Sequence, residues 1–195
     1  ALSDSNITKR ALSQALKELM KTRPIEKISV GNICDACGLN RKSFYYHFQD
    51  KYELIYWIYC TEFLDAALSR HYDDSLELLD SVCCYFYDNR EFYVNTFRME
   101  GQNSFSGFFH SVVYAILKEQ LSDVFSSEPS IDPYVEFYTD AIVQAIKKWL
   151  LRKDRMPPHE FASFIEKALL GVSRHMYARH ADRPARQMTP DSSDE

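Results

Sequence analysis

Glycine is scarce in this chain, with five in 195 residues, and runs of β-branched residues are few. Both scarcities count against a strand-rich fold and favour helices joined by short connections. An all-α protein is expected. No apolar run approaches the ~20 residues that cross a bilayer. Even the densest, Tyr52 to Cys60, is interrupted by Glu53 and followed by Glu62 and Asp65, so no membrane contact is expected. The five cysteines (34, 37, 60, 83 and 84) are odd in number, lie inside apolar helical patterns and follow no recognisable signal sequence. A disulfide framework is therefore not expected, and a reducing, cytoplasmic setting is.

A catalytic constellation is also missing. No nucleophile with a base, and no pair of carboxylates at plausible positions, stands out, so the expectation is a protein without catalytic residues. Cys34-x-x-Cys37 has no second pair at metal-ligand spacing, Cys83-Cys84 belong to a different helix, and the histidines at 71, 110, 159, 175 and 180 show no ligand spacing. Neither a metal site nor a cofactor is expected.

What is present is the composition of an ordinary globular protein, 46% hydrophobic and 26% charged, in a chain long enough to bury a sizeable core. The formal net charge is −5, which argues against a protein that coats nucleic acid without selectivity. The charge is uneven, however. Residues 1–51 hold nine Lys and Arg against five acids, a balance of +4, whereas the remainder holds 14 against 23, a balance of −9. A basic head on an acidic body is a nucleic-acid signature, because phosphate contact needs only local positive potential.

Apolar residues from Ile7 to Met20 recur at three- and four-residue spacing and predict a first helix ending near Thr22–Pro24. Ser29 suits the N-cap of a second, short helix that ends at Gly38, and Asn40 suits the N-cap of a third. Two helices joined by a short turn containing Gly make a helix-turn-helix. The helix after the turn carries Arg41, Lys42, Ser43, Tyr45, Tyr46 and His47, all able to donate to phosphate oxygens or base edges. Asp50 caps a long fourth helix over roughly 51–71, with Lys51 in a first turn where an anion would offset its unfavourable position. Further helices are expected near 75–87, 89–98, 104–124, 133–153 and 159–179, about nine in all.

The stretch I-S-V-G-N-I-C-D-A-C-G-L-N-R-K-S-F-Y-Y-H-F-Q-D-K-Y-E-L resembles the TetR family of bacterial transcriptional regulators, with F-Y-x-H-F followed by D-K-x-x-L as its most specific part. Phe137 to Ala168 resembles the dimerisation helices of that family, more faintly. R-P-I-E-K-I-S-V and Y-E-L-I-Y-W-I-Y look most like the regulators of dihydroxyacetone-kinase operons. The resemblance implies a ligand-responsive homodimeric repressor that binds double-stranded DNA at a palindromic operator. It puts Ser29, Tyr45, His47 and Lys51 at phosphate-contacting places and Asn40, Arg41, Lys42, Ser43 and Tyr46 on the face that meets the major groove. Phe44 and Phe48 then point to the core. Gly31 weakens an already short helix.

The implied organisation is a DNA-binding domain over 1–50, an effector-binding and dimerisation domain over 51–180, and a disordered tail over 181–195. Aromatic residues between Tyr85 and Tyr114 form either plain core or the wall of an effector pocket, for which Tyr93, Phe97, His110 and Tyr114 are the candidates. The effector itself is an unknown small molecule or protein. Ile142, Ile146, Trp149, Phe164 and Ala168 lie on wide apolar faces suited to an intermolecular four-helix bundle, or to the chain's own core. The alternative function is a helical protein-interaction module whose body binds a partner protein.

Overall fold

The fold is taken from a computed structural model that describes residues 2–65, 75–99 and 104–181, with side chains described for 5–65, 76–99 and 104–169. Nine helices and no strand occur among these residues. Helix α1 (Leu2–Met20) lays Leu12, Ala15, Leu16 and Met20 onto α2 (Val30–Cys37) and α3 (Arg41–His47), and the turn Ile25–Lys27 closes the group with Ile25 and Ile28. Helix α4 (Lys51–Ile58) leaves this head and enters the body.

The long fourth helix expected to run to residue 71 changes character at Tyr59–Phe63, which is π-helical: the N–H of Leu64 donates to the Tyr59 carbonyl five residues back. Thr61 Oγ1 donates to the Trp57 carbonyl at 2.7 Å, and such back-bonding competes with the regular ladder. Residues 66–74 lie outside the described part, as does 182–195, which holds nearly all of the expected tail.

The body comprises α5 (Ser75–Asp88), α6 (Arg90–Arg98), α7 (Phe105–Leu121), α8 (Asp132–Leu151) and α9 (Pro158–Ala181). Helix α7 packs on α8, and α9 packs on α5. Helix α7 stops three residues before the sequence reading because Ser122 and Ser126 turn their hydroxyls onto the Glu119 and Asp123 carbonyls. Helix α8 stops at Leu151, where the chain turns extended and Trp149 Nε1 donates to the Met156 carbonyl at 2.9 Å.

Burial favours one alternative in each of two open readings. Tyr93 and Phe97 do not wall a pocket: they are sealed in an aromatic cluster with Phe63, Phe86, Phe105 and Phe109, in which Phe63 stacks on Phe86 at 5.2 Å and Tyr93 meets Phe86 edge-on at 4.8 Å. His110 and Tyr114 lie apart from them on α7, turned towards Glu136, Asp140 and Asp132 of α8. Of the bundle-face residues, Ile142, Ile146 and Trp149 are core of this same chain, the last stacked on Phe161 at 4.5 Å. Phe164, half exposed, and exposed Ala168 remain outward, joined by Phe137 and Ala141 on α8.

Candidate nucleic-acid interface

The recognition segment is positioned by two caps and one left-handed residue. Ser29 Oγ accepts from the Asn32 N–H at 3.1 Å while Asn32 Oδ1 accepts from the Ser29 N–H at 3.0 Å, a reciprocal capping box. Helix α2 ends at Gly38, at φ 69°, where any side chain would be strained. Asn40 then caps α3, its Oδ1 accepting from the Ser43 N–H at 2.8 Å. Ser29, Asn40 and Ser43 thus hold the helix ends in place, and all three lie at the surface edge of the motif.

Helix α3 separates its faces as the sequence predicts. Phe44 is fully buried and Phe48 nearly so, while Tyr45 is 58% and Tyr46 83% exposed. Arg41 and Lys42 are exposed and His47 is half-buried, its ring 4.9 Å from that of Tyr46. Among the described residues Arg41, Lys42, Tyr45, Tyr46 and His47 take no hydrogen-bonded partner, and no acid occurs between Ala36 and Gln49. This is a row of donors with nothing of its own to bond.

Gly31 has a role that helix propensity hides. A Cβ there would sit 2.6 Å from a terminal guanidinium nitrogen of Arg41. Its lack of a side chain lets the first residue of α3 lie across α2. Lys51 also departs from expectation: its Nζ donates to the Ile25 and Ile28 carbonyls, both at 2.8 Å, with Glu26 O at 3.5 Å. The carbonyls of the turn offset its place at the start of α4.

Head and body meet along α1. Glu62, in the π turn, accepts from Ser13 Oγ at 2.6 Å and pairs with Lys17, which also reaches Asn89, and Asn95 Nδ2 donates to the Met20 carbonyl. Beside these contacts opens a cleft of about 540 Å³, with Lys17 and Lys21 on one side and Tyr87, Arg90, Phe92 and Arg155 on the other. No helix among the described residues is long and apolar enough to cross a membrane.

Known proteins share this arrangement. A description of bacterial regulatory proteins of the tetR family matches residues 12–56, and one of a transcriptional regulator C-terminal region matches residues 73–171. The chain belongs to the TetR family. As a TetR-family chain it is a DNA-binding transcriptional regulator, of a family whose members bind DNA and typically dimerise. The HTH-type dhaKLM operon transcriptional activator DhaS of Lactococcus lactis is 31% identical over 110 residues, 55% of this chain and 57% of that protein. The match thus spans little more than half of that relative's length. An HTH-type transcriptional regulator of Staphylococcus aureus strain USA300 is 25% identical over 152 residues, 73% of this chain and 80% of its own. Among solved structures, a dihydroxyacetone kinase operon activator DhaS superposes with a TM-score of 0.70 at 22% identity, covering 87% of this chain and 97% of that one. A TetR regulator from Streptococcus agalactiae superposes with a TM-score of 0.69 at 18% identity, covering 86% and 96%. Both share the fold.

Proposed function

We propose that this TetR-family chain reads a palindromic operator as a homodimer and acts by binding, not by turnover, in the cytoplasm. The observation that carries this reading is the unpartnered donor row of α3 on a segment free of acids. Arg41 is assigned to base readout, because a guanidinium can address guanine O6 and N7 together. Lys42, Tyr45, Tyr46 and His47 contact phosphate and neighbouring base edges; Ser29, Asn40 and Ser43 hold the helix ends at the backbone. Lys51 adds positive potential and braces the head. The division into a reading head over 1–50 and a responding body over 51–180 follows the same functional split.

The second copy docks through Phe137, Ala141, Phe164 and Ala168, an outward apolar set on α8 and α9. Two recognition helices about 34 Å apart would then address successive major grooves. An effector, small molecule or protein, acts where α1 meets the π turn and α6, and changes the spacing of the heads. The DhaS relatives are named activators of a dihydroxyacetone-kinase operon. The resemblance supports a regulator of that kind and favours activation over the repression expected from the sequence alone. Footprinting on DNA flanking the protein's own gene tests the reading: a two-fold symmetric protected site that weakens steeply with salt is expected. Equal protection of random DNA would overturn it.

A further inference from the structure

We propose that Asp80, Cys84 and His159 form a site for a divalent transition metal of the zinc class, and that the filled site pins the start of α9 to α5. His159 lies 79 positions beyond Asp80 and 75 beyond Cys84, and no spacing in the sequence joins it to them. Asp80 and Cys84, four apart on α5, present one face; His159, in the first turn of α9, lies against it. His159 Nδ1 is 2.6 Å from Asp80 Oδ1, and Cys84 Sγ is 3.9 Å from either ring nitrogen. The three ligand atoms all fall within 4.8 Å of one another.

These separations are near those of a filled site. With metal distances of about 2.3 Å to sulfur and about 2.0–2.2 Å to nitrogen and oxygen, tetrahedral ligands stand about 3.3–3.7 Å apart. The sulfur closes in by a few tenths of an ångström, and the His159–Asp80 contact opens by somewhat less than 1 Å. The His159 side chain is 74% exposed and free to make that change. The backbones that carry the donors are well held: Cys83, beside Cys84, is fully buried, and Phe161, two residues beyond His159, is stacked on Trp149.

The donor set selects the metal. A thiolate beside an imidazole and a carboxylate suits zinc or cobalt and excludes calcium and magnesium, which take oxygen ligands. Three protein ligands leave a fourth position for water. Burial, then Asp80 and Asp88, hold the Cys84 thiol above its ordinary pKa, and a dication reverses that balance. On binding, the thiol releases its proton to solvent, and the metal takes the place of the hydrogen between His159 Nδ1 and Asp80 Oδ1, with the imidazole carrying its proton on Nε2. His110, Glu136 and Asp140 form a second cluster, but without sulfur and with both carboxylates exposed it reads as an ordinary ion pair.

The test uses the full chain, stripped of metal and kept reduced by a phosphine, titrated with Co²⁺ and then Zn²⁺. Expected is one equivalent of cobalt with a near-ultraviolet sulfur-to-cobalt band that Zn²⁺ abolishes. Cys84→Ser should remove the band, and His159→Ala and Asp80→Asn should each weaken binding at least about tenfold, since even outer ligand partners contribute that much. Cys83→Ser and Glu136→Gln should leave it intact. Absence of the band, its survival in Cys84→Ser, or unchanged affinity in His159→Ala would overturn the proposal. Because His159 is exposed, its variant keeps the test readable if Cys84→Ser fails to fold, and none of these readouts depends on DNA binding.

Discussion

Arg41 and Gly31 act as a pair. The guanidinium rests where a Cβ on Gly31 would stand, so Gly31→Ala must move the head of Arg41 while leaving the helix intact. The alanine gains about 0.5–1 kcal/mol of helix propensity against the contact it disturbs, and urea unfolding should change by no more than about 1 kcal/mol. Operator selectivity should fall at the base that Arg41 reads, measured by competition among single-base variants. Arg41→Ala should relax selectivity at that same base, by about 1–3 kcal/mol, whereas Lys42→Ala should weaken all sequences alike and lower the salt slope by about one. Equal losses on specific and random DNA for both variants would remove Arg41 from base readout. Lys51→Met should act differently from either, lowering stability by about 1.5–3 kcal/mol through its lost carbonyl contacts. The inward turn of Phe44 and the outward turn of Tyr45 and Tyr46 were implied by the resemblance to the family. The places of Gly31 and Lys51 were not legible, because each depends on a neighbour brought close only by the fold.

Helices carry their own ends in the sequence more readily than their partners. The caps at Ser29, Asn40 and Asp50, and the left-handed Gly38, mark boundaries through local hydrogen bonds that a few residues suffice to specify. An apolar face, by contrast, says that it will be buried but not by whom. Ile142, Ile146 and Trp149 went to the chain's own interior, while Phe137 and Phe164 stayed outside, on the same two helices. Phe164→Glu and Phe137→Glu should therefore shift the protein towards monomer in sedimentation and leave its helical circular dichroism unchanged. Ile146→Ala, in contrast, should lower stability by about 2–5 kcal/mol. The metal-site trio escaped the sequence for a related reason: its donors come from two helices whose packing no local pattern announces.

Across the whole molecule, buried hydroxyls and thiols sit among aromatic rings. Burial holds Cys83 and Tyr85 each at about 12, above their ordinary 9.0 and 10.0, and pushes Tyr59 and Tyr93 up as well. In the unfolded chain these groups ionise near their ordinary values, so the folded state binds protons that the unfolded state has lost. Their contribution is fully present below about pH 9 and disappears as pH rises from there through about 12. Urea midpoints should fall over that window, with the buried rings' share of the tyrosinate absorbance rising together with unfolding. The same sealed cluster leaves the cleft between α1 and α6 as an opening to the surface near the head. Lys17→Ala should accordingly alter the operator response to an effector more than it alters operator affinity alone.

The π turn at Tyr59–Phe63 gives α4 the properties of an indexed shaft. One added residue in a helix advances every later side chain by about 100°. The π turn takes up one such residue within a single wide turn, so that Tyr59 and Phe63 reach Phe105 and Phe86 of the body while Leu64 keeps the phase set by α4. Removing a single residue, such as Cys60, would return the turn to regular pitch. It would also swing Glu62 off the face that meets Ser13 and Lys17 of α1, so the body would lose its hold on the head.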